Sequence, residues 1–464
     1  MPPETVDLLI DARWVLPIAP VNTALAQHAV AVTDGRVVAV GPTAQMAARF
    51  QAREHISRPN HALLPGFVNA HTRAATTLLR GASVEGPRSR WIRETLAPLE
   101  QRFASPDLVR DGTRLAIAEM LQAGITCFAA TDLFPEEAAR VASSARVRAA
   151  IGLPVGDSPT VWAESANEYF SKAEGLWDAY RADPWVGLYF GLGDSLSVAD
   201  STLSRLRRVA DELDARVAMP VHESAEEIRD SVARFGKRPL QRLQSLGLLR
   251  PGFTAIHATQ LDATDVGALS RTGVCVVTCP QASLRLGAGI SPVALLESHG
   301  VPVGLGTDSA ACAGALDLLA EARVAALFGG AAVSDGRASA SAGGAPAVGA
   351  TAARAAMTGG DAAAALRLAT LGGAVALGMG SLVGSIEAGK AADFVCFDLG
   401  SLAFQPQVRV ADAVLYSATR ANACDVWTSG RRAVSDGRLL TFDVQEISAL
   451  AQQWAERLRL EIPI

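Results

Sequence analysis

Short apolar runs alternate with longer amphipathic segments over most of the chain, and this alternation limits the folds that the chain can adopt. Each run is four to six residues long and is followed by a stretch with helical periodicity. The runs lie at residues 125–130, 149–153, 186–190, 217–221, 255–258, 274–279 and 303–307. Seven or eight such strands, separated by helices, are what a closed parallel barrel requires. We therefore predict an α/β fold built on a (β/α)8 TIM barrel.

Polar and ionisable residues stand at the carboxyl ends of these predicted strands. Glu223 follows the run at 217–221, His257 lies in the run at 255–258, and Asp308 follows the run at 303–307. A parallel barrel places its active site at the carboxyl ends of its strands. The position of these residues therefore indicates a functional site at that end of the barrel.

The two ends of the chain have a different pattern, of short strands and turns. Strands are predicted at residues 8–16, 29–32 and 37–40, with a hairpin turn at Asp34-Gly35. A strand-rich pattern returns after residue 384 and continues to about residue 440. We predict that the two ends pair into one small β-domain. It would comprise residues 1–62 and residues 381–464 with a terminal helix, around a barrel of residues 63–380.

Residues 329–365 form a tract rich in alanine, glycine and serine. Low-complexity sequence of this kind is typical of a surface loop or lid. We predict a surface loop here and assign it no specific role.

Composition narrows the classes of partner. The 464 residues carry a formal net charge of −5, and 49% of them are hydrophobic, so nothing indicates a nucleic-acid or membrane-surface partner. The amino terminus lacks the pattern of a signal peptide, and no apolar run is long enough to span a membrane. We predict a cytoplasmic protein that binds small molecules. Its six cysteines lack metal-binding spacing, which favours reduced, packed thiols.

The segment from Leu64 to Arg73 reads LPGFVNAHTR. It has the form of a metal-binding strand in which a cation replaces one ligand. A His-x-His sequence at the end of an apolar strand would place two imidazoles on one side of it. Here His71 is followed two residues later by Arg73. A guanidinium is always charged and has no lone pair to give, so Arg73 cannot ligate zinc.

Three longer strings, LLPGFVNAHT, GLGTDSAACAGALDLLAEARVAAL and GSIEAGKAADFVCFD, resemble the amidohydrolase superfamily. The resemblance is to the TRZ/ATZ branch, which contains chlorohydrolases and the methylthioadenosine and S-adenosylhomocysteine deaminases. It runs through nearly the whole chain. It implies a distorted (β/α)8 barrel with a composite β-sandwich domain from both termini, commonly as a homodimer. The implied activity is hydrolysis of a C–N bond in an aminated heterocycle of purine-nucleoside or triazine type.

The resemblance also implies a set of site residues. The family's mononuclear metal site takes two histidines from the first strand, one from the fifth and an aspartate from the eighth. His71 matches the first ligand and Asp308 the last. A strand-five glutamate and a strand-six histidine handle protons in the family, and Glu223 and His257 match them. We therefore expect Glu223, His257 and Asp308 to be the catalytic residues.

The chain departs from the family pattern at several of these positions. Arg73 replaces the second ligand, and Pro220, which has no donor atom, stands at the strand-five ligand position. Gly193 and Thr278 stand where substrate-site histidines are usual. Because zinc normally needs three or four protein ligands, losing two of four should lower zinc affinity by many orders of magnitude. We predict no metal cofactor and a zinc-dependent activity that is lost or severely impaired.

His222 offers an alternative ligand in place of the missing strand-five histidine. His222 lies two residues beyond Pro220 on the same strand face, so His71, His222 and Asp308 would form a weaker zinc site if they met. The offset is about 6.5 Å at ~3.3 Å per residue, which is too far without a bulge. Otherwise His222 is an ordinary polar residue at the barrel mouth.

Arg73 has two interpretations. In the first, its guanidinium fills the vacated metal volume and pairs with Asp308 and Glu223, offsetting buried negative charge. In the second, it binds an anionic or carbonyl group of a ligand, while Glu223, His257 and Asp308 perform acid/base chemistry without metal.

Two further residues are candidates for contact with a small-molecule ligand. Trp91 would cover a planar ligand, as in the family, or would pack in the core as helical tryptophans commonly do. Asp194 lies in the loop after the fourth strand, in the sequence FGLGDS that resembles the corresponding family loop.

Three functions remain open on this evidence. In the first, the chain is a metal-dependent hydrolase of aminated heterocycles, and in the second it is a metal-free enzyme that reuses the pocket. In the third it is a silent homologue that binds a protein partner or a small molecule. The small-molecule ligand would be an aminated heterocycle or an anion. Metal content separates the first function from the other two.

The double variant Arg73→His with Pro220→His should regain metal binding, because it restores both missing donors. Metal per subunit, measured by inductively coupled plasma mass spectrometry after purification with added zinc, checks this. A double variant that still carries background metal would show that the site is aligned wrongly.

Overall fold

The computed structural model describes residues 3–81, 88–334 and 361–459. Its described strands form two eight-stranded sheets. The strands are β1 (Glu4–Val15), β2 (Leu25–Thr33), β3 (Arg36–Pro42), β4 (Phe50–Pro65), β5 (Phe67–Thr72), β6 (Ile125–Ala130), β7 (Arg148–Pro154), β8 (Val186–Gly191), β9 (Val217–Val221), β10 (Phe253–His257), β11 (Cys275–Thr278), β12 (Val303–Leu305), β13 (Phe394–Asp398), β14 (Ala423–Thr428), β15 (Arg431–Ser435) and β16 (Arg438–Leu439).

Helices connect the strands of the second sheet and cover its outer face. The α-helices are α1 (Thr43–Arg49), α2 (Arg88–Trp91), α3 (Ala97–Phe103), α4 (Pro106–Gln122), α5 (Pro135–Ala145), α6 (Ala166–Tyr180), α7 (Asp200–Glu212), α8 (Ala225–Phe235), α9 (Pro239–Ser245), α10 (Ala263–Thr272), α11 (Pro280–Arg285), α12 (Val293–Ser298), α13 (Ala310–Ala313), α14 (Leu318–Ser334), α15 (Ala362–Arg367), α16 (Gly373–Ala376), α17 (Val410–Asp412) and α18 (Val444–Arg459). Among the described helices, none has both the length and the apolar composition needed to cross a bilayer.

The second sheet is the predicted barrel. Strands β5 to β12 lie side by side in chain order, and each pairs in parallel with the next. The predicted runs at 125–130 and 217–221 match β6 and β9, and the other five overlap strands whose ends differ by one to two residues. The α/β barrel prediction is therefore confirmed.

Hydrogen bonds between the first and last strands close the barrel. The backbone N–H groups of Thr307 and Asp308 both donate to the carbonyl oxygen of His71, at 3.0 Å each. The Asn69 side chain donates to Thr307 Oγ1 at 2.8 Å and accepts from Thr307 N at 3.1 Å, while Thr72 Oγ1 donates to the Asp308 carbonyl at 2.9 Å. The closure thus includes the backbone of two predicted site residues.

The first sheet combines both ends of the chain, as predicted. Its strand order is β16-β15-β14-β13-β4-β1-β2-β3, and β13 from the carboxyl-terminal part pairs antiparallel with β4. The predicted hairpin joins β2 to β3. Asp34 and Gly35 at its turn both have left-handed φ angles, of 49° and 70°, as a tight two-residue turn between twisted strands requires.

The alanine-rich tract at 329–365 is only partly described, because residues 335–360 lie outside the described residues. Its described ends contradict the loop prediction. Helix α14 continues to Ser334, and helix α15 begins at Ala362. Alanine has the highest helix propensity of all residues, and this local preference prevailed at both ends of the tract.

Gly306 lies where β12 approaches β5, and there is no room for a side chain. A Cβ atom at this position would lie 2.6 Å from the carbonyl oxygen of His71 and 2.8 Å from its Cβ. Gly175, inside helix α6, is the opposite case, because a Cβ there would meet no described atom within 4 Å.

We expect Gly306→Ala to destabilise the protein by roughly 1–3 kcal/mol, since it overpacks the barrel closure. The matched substitution Gly175→Ala should stabilise it by about 0.5–1 kcal/mol, since it removes a helical glycine without a clash. Urea unfolding midpoints of the two variants check both signs. An unchanged midpoint for Gly306→Ala would show that the closure tolerates a methyl group.

Candidate functional site

Four predicted site residues meet at the carboxyl ends of the barrel strands. His71, Glu223, His257 and Asp308 are each at most 7% exposed. The Nε2 atom of His71 lies 3.6 Å from Asp308 Oδ1, and that of His257 lies 3.4 Å from Glu223 Oε1 and 4.0 Å from Asp308 Oδ2. We call these four residues the imidazole–carboxylate cluster. Buried groups of this kind are costly unless they are paired or used.

The backbone around the cluster is locally strained. His257, Ala258 and Asp308 have left-handed φ angles of 69°, 47° and 54°. Residues with a Cβ atom rarely adopt this conformation, and such strain persists only where surrounding contacts impose it. Here the Asp308 N–H donates to the His71 carbonyl at 3.0 Å, and the Ala258 N–H donates to the Val221 carbonyl at 3.2 Å. Two of the four cluster residues, His257 and Asp308, are therefore held in a left-handed backbone conformation.

Three members of the cluster have the donor atoms of a metal site. One donor atom each of His71, His257 and Asp308 lie within 4.8 Å of one another. The Nδ1 atom of His71 is buried and has no hydrogen-bond partner in the described part of the chain. The ring nitrogens of two histidines and one carboxylate are ordinary zinc ligands. A zinc site is therefore chemically possible with a set that the sequence analysis did not consider.

The alternative ligand set that included His222 does not form in the described part of the chain, as the strand offset indicated. His222 is fully buried, its Nε2 accepts a hydrogen bond from Leu240 N at 3.1 Å, and its Nδ1 donates to the Gln260 carbonyl at 3.2 Å. Both ring nitrogens are thus committed to the backbone, which holds the imidazole neutral. Burial lowers the pKa of His222 to about 4, although Asp265 opposes the shift. His222 is a structural residue beside the cluster.

Pro220 lies on β9 just beyond the last hydrogen bond of the β8–β9 ladder. The carbonyls of Arg216 and Ala218 accept from Phe190 N and from the N–H of Leu192, the residue after β8, and the ladder ends there. By strand alternation, the backbone of Pro220 faces the same side, beyond that ladder. The barrel therefore tolerates a residue that offers neither an N–H nor a metal-binding atom.

Arg73 forms a different ion pair from the one that the first interpretation predicted. Its guanidinium contacts the carboxylate of Glu100 on α3 rather than that of Asp308 or Glu223. Burial disfavours the charged guanidinium, but Glu100, then Asp132 and Asp308, outweigh this effect and raise the pKa of Arg73. Arg73 is therefore a permanent cation beside the cluster, fixed by a carboxylate 27 residues along the chain.

Asp132 is a site residue that the sequence analysis missed. It is 7% exposed, and its Oδ2 accepts from Ala75 N at 3.3 Å. Burial raises the pKa of Asp132 to about 6, and the charge of Arg73 opposes the rise. The sequence contained a signal that could have identified Asp132 as a site residue, because it stands two residues after β6, at the carboxyl end of a barrel strand.

The two remaining candidates, Trp91 and Asp194, differ in their surroundings. Trp91 is 4% exposed within an apolar cluster that includes Leu79 and Leu96, and its Nε1 lacks a hydrogen-bond partner among the described residues. Asp194 accepts from Leu196 N and Ser197 N at 2.7 Å each, which shapes its own loop. At Gly193 a Cβ would meet no described atom within 4 Å. Ligand contact by Trp91 and Asp194 stays a prediction.

Comparison with known proteins agrees with the fold. A model of the amidohydrolase family matches residues 62–433, and a bacterial imidazolonepropionase-like composite domain matches residues 29–50. The chain belongs to the amidohydrolase family. It is 38% identical over 454 residues to a 5-methylthioadenosine/S-adenosylhomocysteine deaminase of Teredinibacter turnerae, covering 98% of each chain. The corresponding deaminase of Saccharophagus degradans is 34% identical over 98% of this chain and 97% of its own length.

Solved structures extend this similarity. An adenosine deaminase from Xanthomonas campestris, crystallised with bound zinc, superposes with a TM-score of 0.93 and 40% identity, covering 99% of this chain and 100% of that one. Atrazine chlorohydrolase TrzN from Arthrobacter aurescens shares the fold, with a TM-score of 0.85 at 20% identity over 96% of this chain and 99% of that one. The predicted resemblance is confirmed.

The buried, neutral His222 makes stability depend on pH. Because its pKa in the fold lies below the ordinary 6.5, its contribution is complete above pH 6.5 and is lost as the pH falls towards 4. We expect the loss in urea midpoint between pH 7 and pH 4.5 to be smaller in His222→Gln than in the native protein. The exposed His299→Gln is the control and should keep the native slope. Equal slopes in all three proteins would contradict this role.

Proposed function

We propose that this chain binds an aminated heterocycle of the purine-nucleoside type at the imidazole–carboxylate cluster, and that zinc-dependent deamination there is lost or severely impaired. The observation that carries the proposal is that the cluster is assembled. In this proposal Arg73 and Pro220 stand at two ligand positions of the family site. The names of the deaminase relatives support the ligand class.

The cluster retains the residues that handle protons. Glu223 Oε1 and His257 Nε2 are 3.4 Å apart, within a small shift of a hydrogen bond. His257 also lies 4.0 Å from Asp308, so a protonated imidazole there would be stabilised by two carboxylates. In this proposal Glu223 and His257 exchange a proton with the ligand, and Asp308 holds His257 in place.

Zinc, where it is bound, supplies a water of lowered pKa and a Lewis acid for the attacked carbon. Without it, one His/Glu pair must act on water whose pKa no metal lowers. This difference is why the proposal includes a severe loss of hydrolysis.

The ligand's ring would lie against the apolar side of the mouth. Trp91 supplies a planar apolar surface there in this proposal, and its buried indole Nε1 offers a donor to a polar ring atom. Asp194 lies in the loop after β8, next to Gly193, where a Cβ would meet no described atom within 4 Å. Arg73 acts mainly as a compensating charge, because Glu100 already occupies its guanidinium.

A second candidate function follows from the His71, His257 and Asp308 donors. Three protein ligands are the number that a catalytic zinc uses, and these donor atoms lie within 4.8 Å of one another. In this alternative the chain is a weak zinc-dependent deaminase in which His257 is a ligand, and proton transfer falls to Glu223.

A cytoplasmic location and a homodimeric state remain predictions.

Metal content per subunit separates the two candidates. We expect background metal in native protein purified with added zinc, and calorimetric binding of 5-methylthioadenosine or S-adenosylhomocysteine with slow residual turnover at most. Stoichiometric zinc that is lost in His71→Ala and His257→Ala would favour the weak deaminase instead. If the protein binds no metal and no nucleoside, both candidates are contradicted.

Glu223→Gln and His257→Asn test the proton-handling pair in whichever activity remains. Each should lower residual turnover by about 100-fold or more, because general acid–base groups contribute 10²–10⁴-fold. Nucleoside binding should change little. His299→Asn, at an exposed histidine, is the matched control. If Glu223→Gln keeps full residual turnover, Glu223 does not act on protons.

A further inference from the structure

A pair of cysteines meets in the composite sheet, far along the chain from the barrel site. Cys396 on β13 pairs with Asp425 on β14, while the next pair joins Phe397 to Ala423, so Cys424 is an extra residue in β14. Such a bulge sets two residues of one strand against one residue of its partner. The sulfur atoms of Cys396 and Cys424 and a carboxylate oxygen of Asp425 lie within 4.8 Å of one another.

The two thiols differ in their access to solvent. Cys396 is fully buried in the core of the composite sheet, whereas Cys424 is partly exposed. The Cys424 sulfur lies 3.3 Å from the carbonyl oxygen of Cys396 and 3.6 Å from Asp425 Oδ2. A reagent from solvent therefore reaches Cys424 first, and Cys396 is the adjacent thiol.

The surroundings favour the thiolate of Cys424. The Cys396 thiol, and then the His61 imidazole, lower the pKa of Cys424, and they outweigh the opposing effects of burial and of the Asp425 carboxylate. Burial raises the pKa of Cys396 well above its ordinary value. One nucleophilic thiolate beside one protonated thiol is the arrangement of a reactive cysteine with a resolving partner.

The same surroundings disfavour a metal ion at this place. Asp425 accepts from Arg58 Nε at 2.6 Å, from Arg432 Nε at 3.1 Å and from Asp436 N at 3.0 Å. Its oxygens are therefore committed, and two guanidinium groups would repel an added cation. Of the three groups that meet here, the two thiols therefore remain for other chemistry.

We propose that Cys396 and Cys424 are a peroxide-sensitive thiol pair that closes to a disulfide between β13 and β14. The Cys424 thiolate attacks a hydroperoxide, which breaks the O–O bond, forms a sulfenic acid and releases an alkoxide or hydroxide that takes up a proton. The Cys396 sulfur then attacks the sulfenic sulfur. It displaces hydroxide, which leaves as water with the Cys396 proton. Two thiols and one hydroperoxide thus give one disulfide, one alcohol or water, and one further water.

Oxidation of the reduced full-length protein with hydrogen peroxide tests the proposal. We expect the intact mass to fall by two hydrogen atoms, peptide mapping to join Cys396 to Cys424, and dithiothreitol to reverse both changes. This mapping needs no variant, so it stands even where a variant fails to fold.

Three variants sharpen the result. Cys424→Ser should slow thiol loss about tenfold or more, because it removes the reactive thiolate. Cys396→Ser should stop at a sulfenic acid on residue 424, which dimedone labels. Cys279→Ser, at a fully buried thiol of the barrel, is the control and should react like the native protein. A bridge between other cysteines, native reactivity in Cys424→Ser, or a co-purified metal that protects both thiols would each overturn the proposal.

Discussion

Barrel closure at His71 is the interaction on which the candidate site depends. The carbonyl oxygen of this one residue accepts from two successive N–H groups of the segment after β12. The bonds fix the first and last strands side by side and hold Asp308 in a conformation that an aspartate rarely adopts. The imidazole and carboxylate that face each other across the seam are therefore placed by the backbone, before any ligand contributes.

Charge balance in the barrel mouth follows from that placement. Glu223 and Asp308 lie within the cluster, and Glu100 and Asp132 lie beside it. Arg73 contacts Glu100 directly and acts on Asp132 and Asp308 through charge. A cation fixed by its own carboxylate offsets part of this negative charge without ligating anything. This arrangement gives Arg73 a physical reason to persist in a mouth built for charged groups.

The sequence was sufficient for the barrel, because buried parallel strands are near-continuous apolar runs and their ends carry the polar residues. It also placed His71, Glu223, His257 and Asp308 together. The sequence did not predict the side-chain partners. The ion pair of Arg73 with Glu100 depends on where α3 packs, and the hydrogen bonds of His222 come from the backbone of Leu240 and Gln260 in two other segments. The bulge that brings Cys396 to Cys424 is a register shift, which no local pattern reveals.

One residue separates the two sheets. Strand β4 of the composite sheet ends at Pro65, Gly66 follows, and β5 of the barrel begins at Phe67. A Cβ at Gly66 would lie 2.1 Å from Thr126 Oγ1, so this link is also wedged against β6. Because side chains alternate between faces, a single inserted residue here would exchange the inward and outward faces of whichever strand shifted. This short link therefore couples the register of β4 in the composite sheet to that of β5, the barrel strand that carries His71.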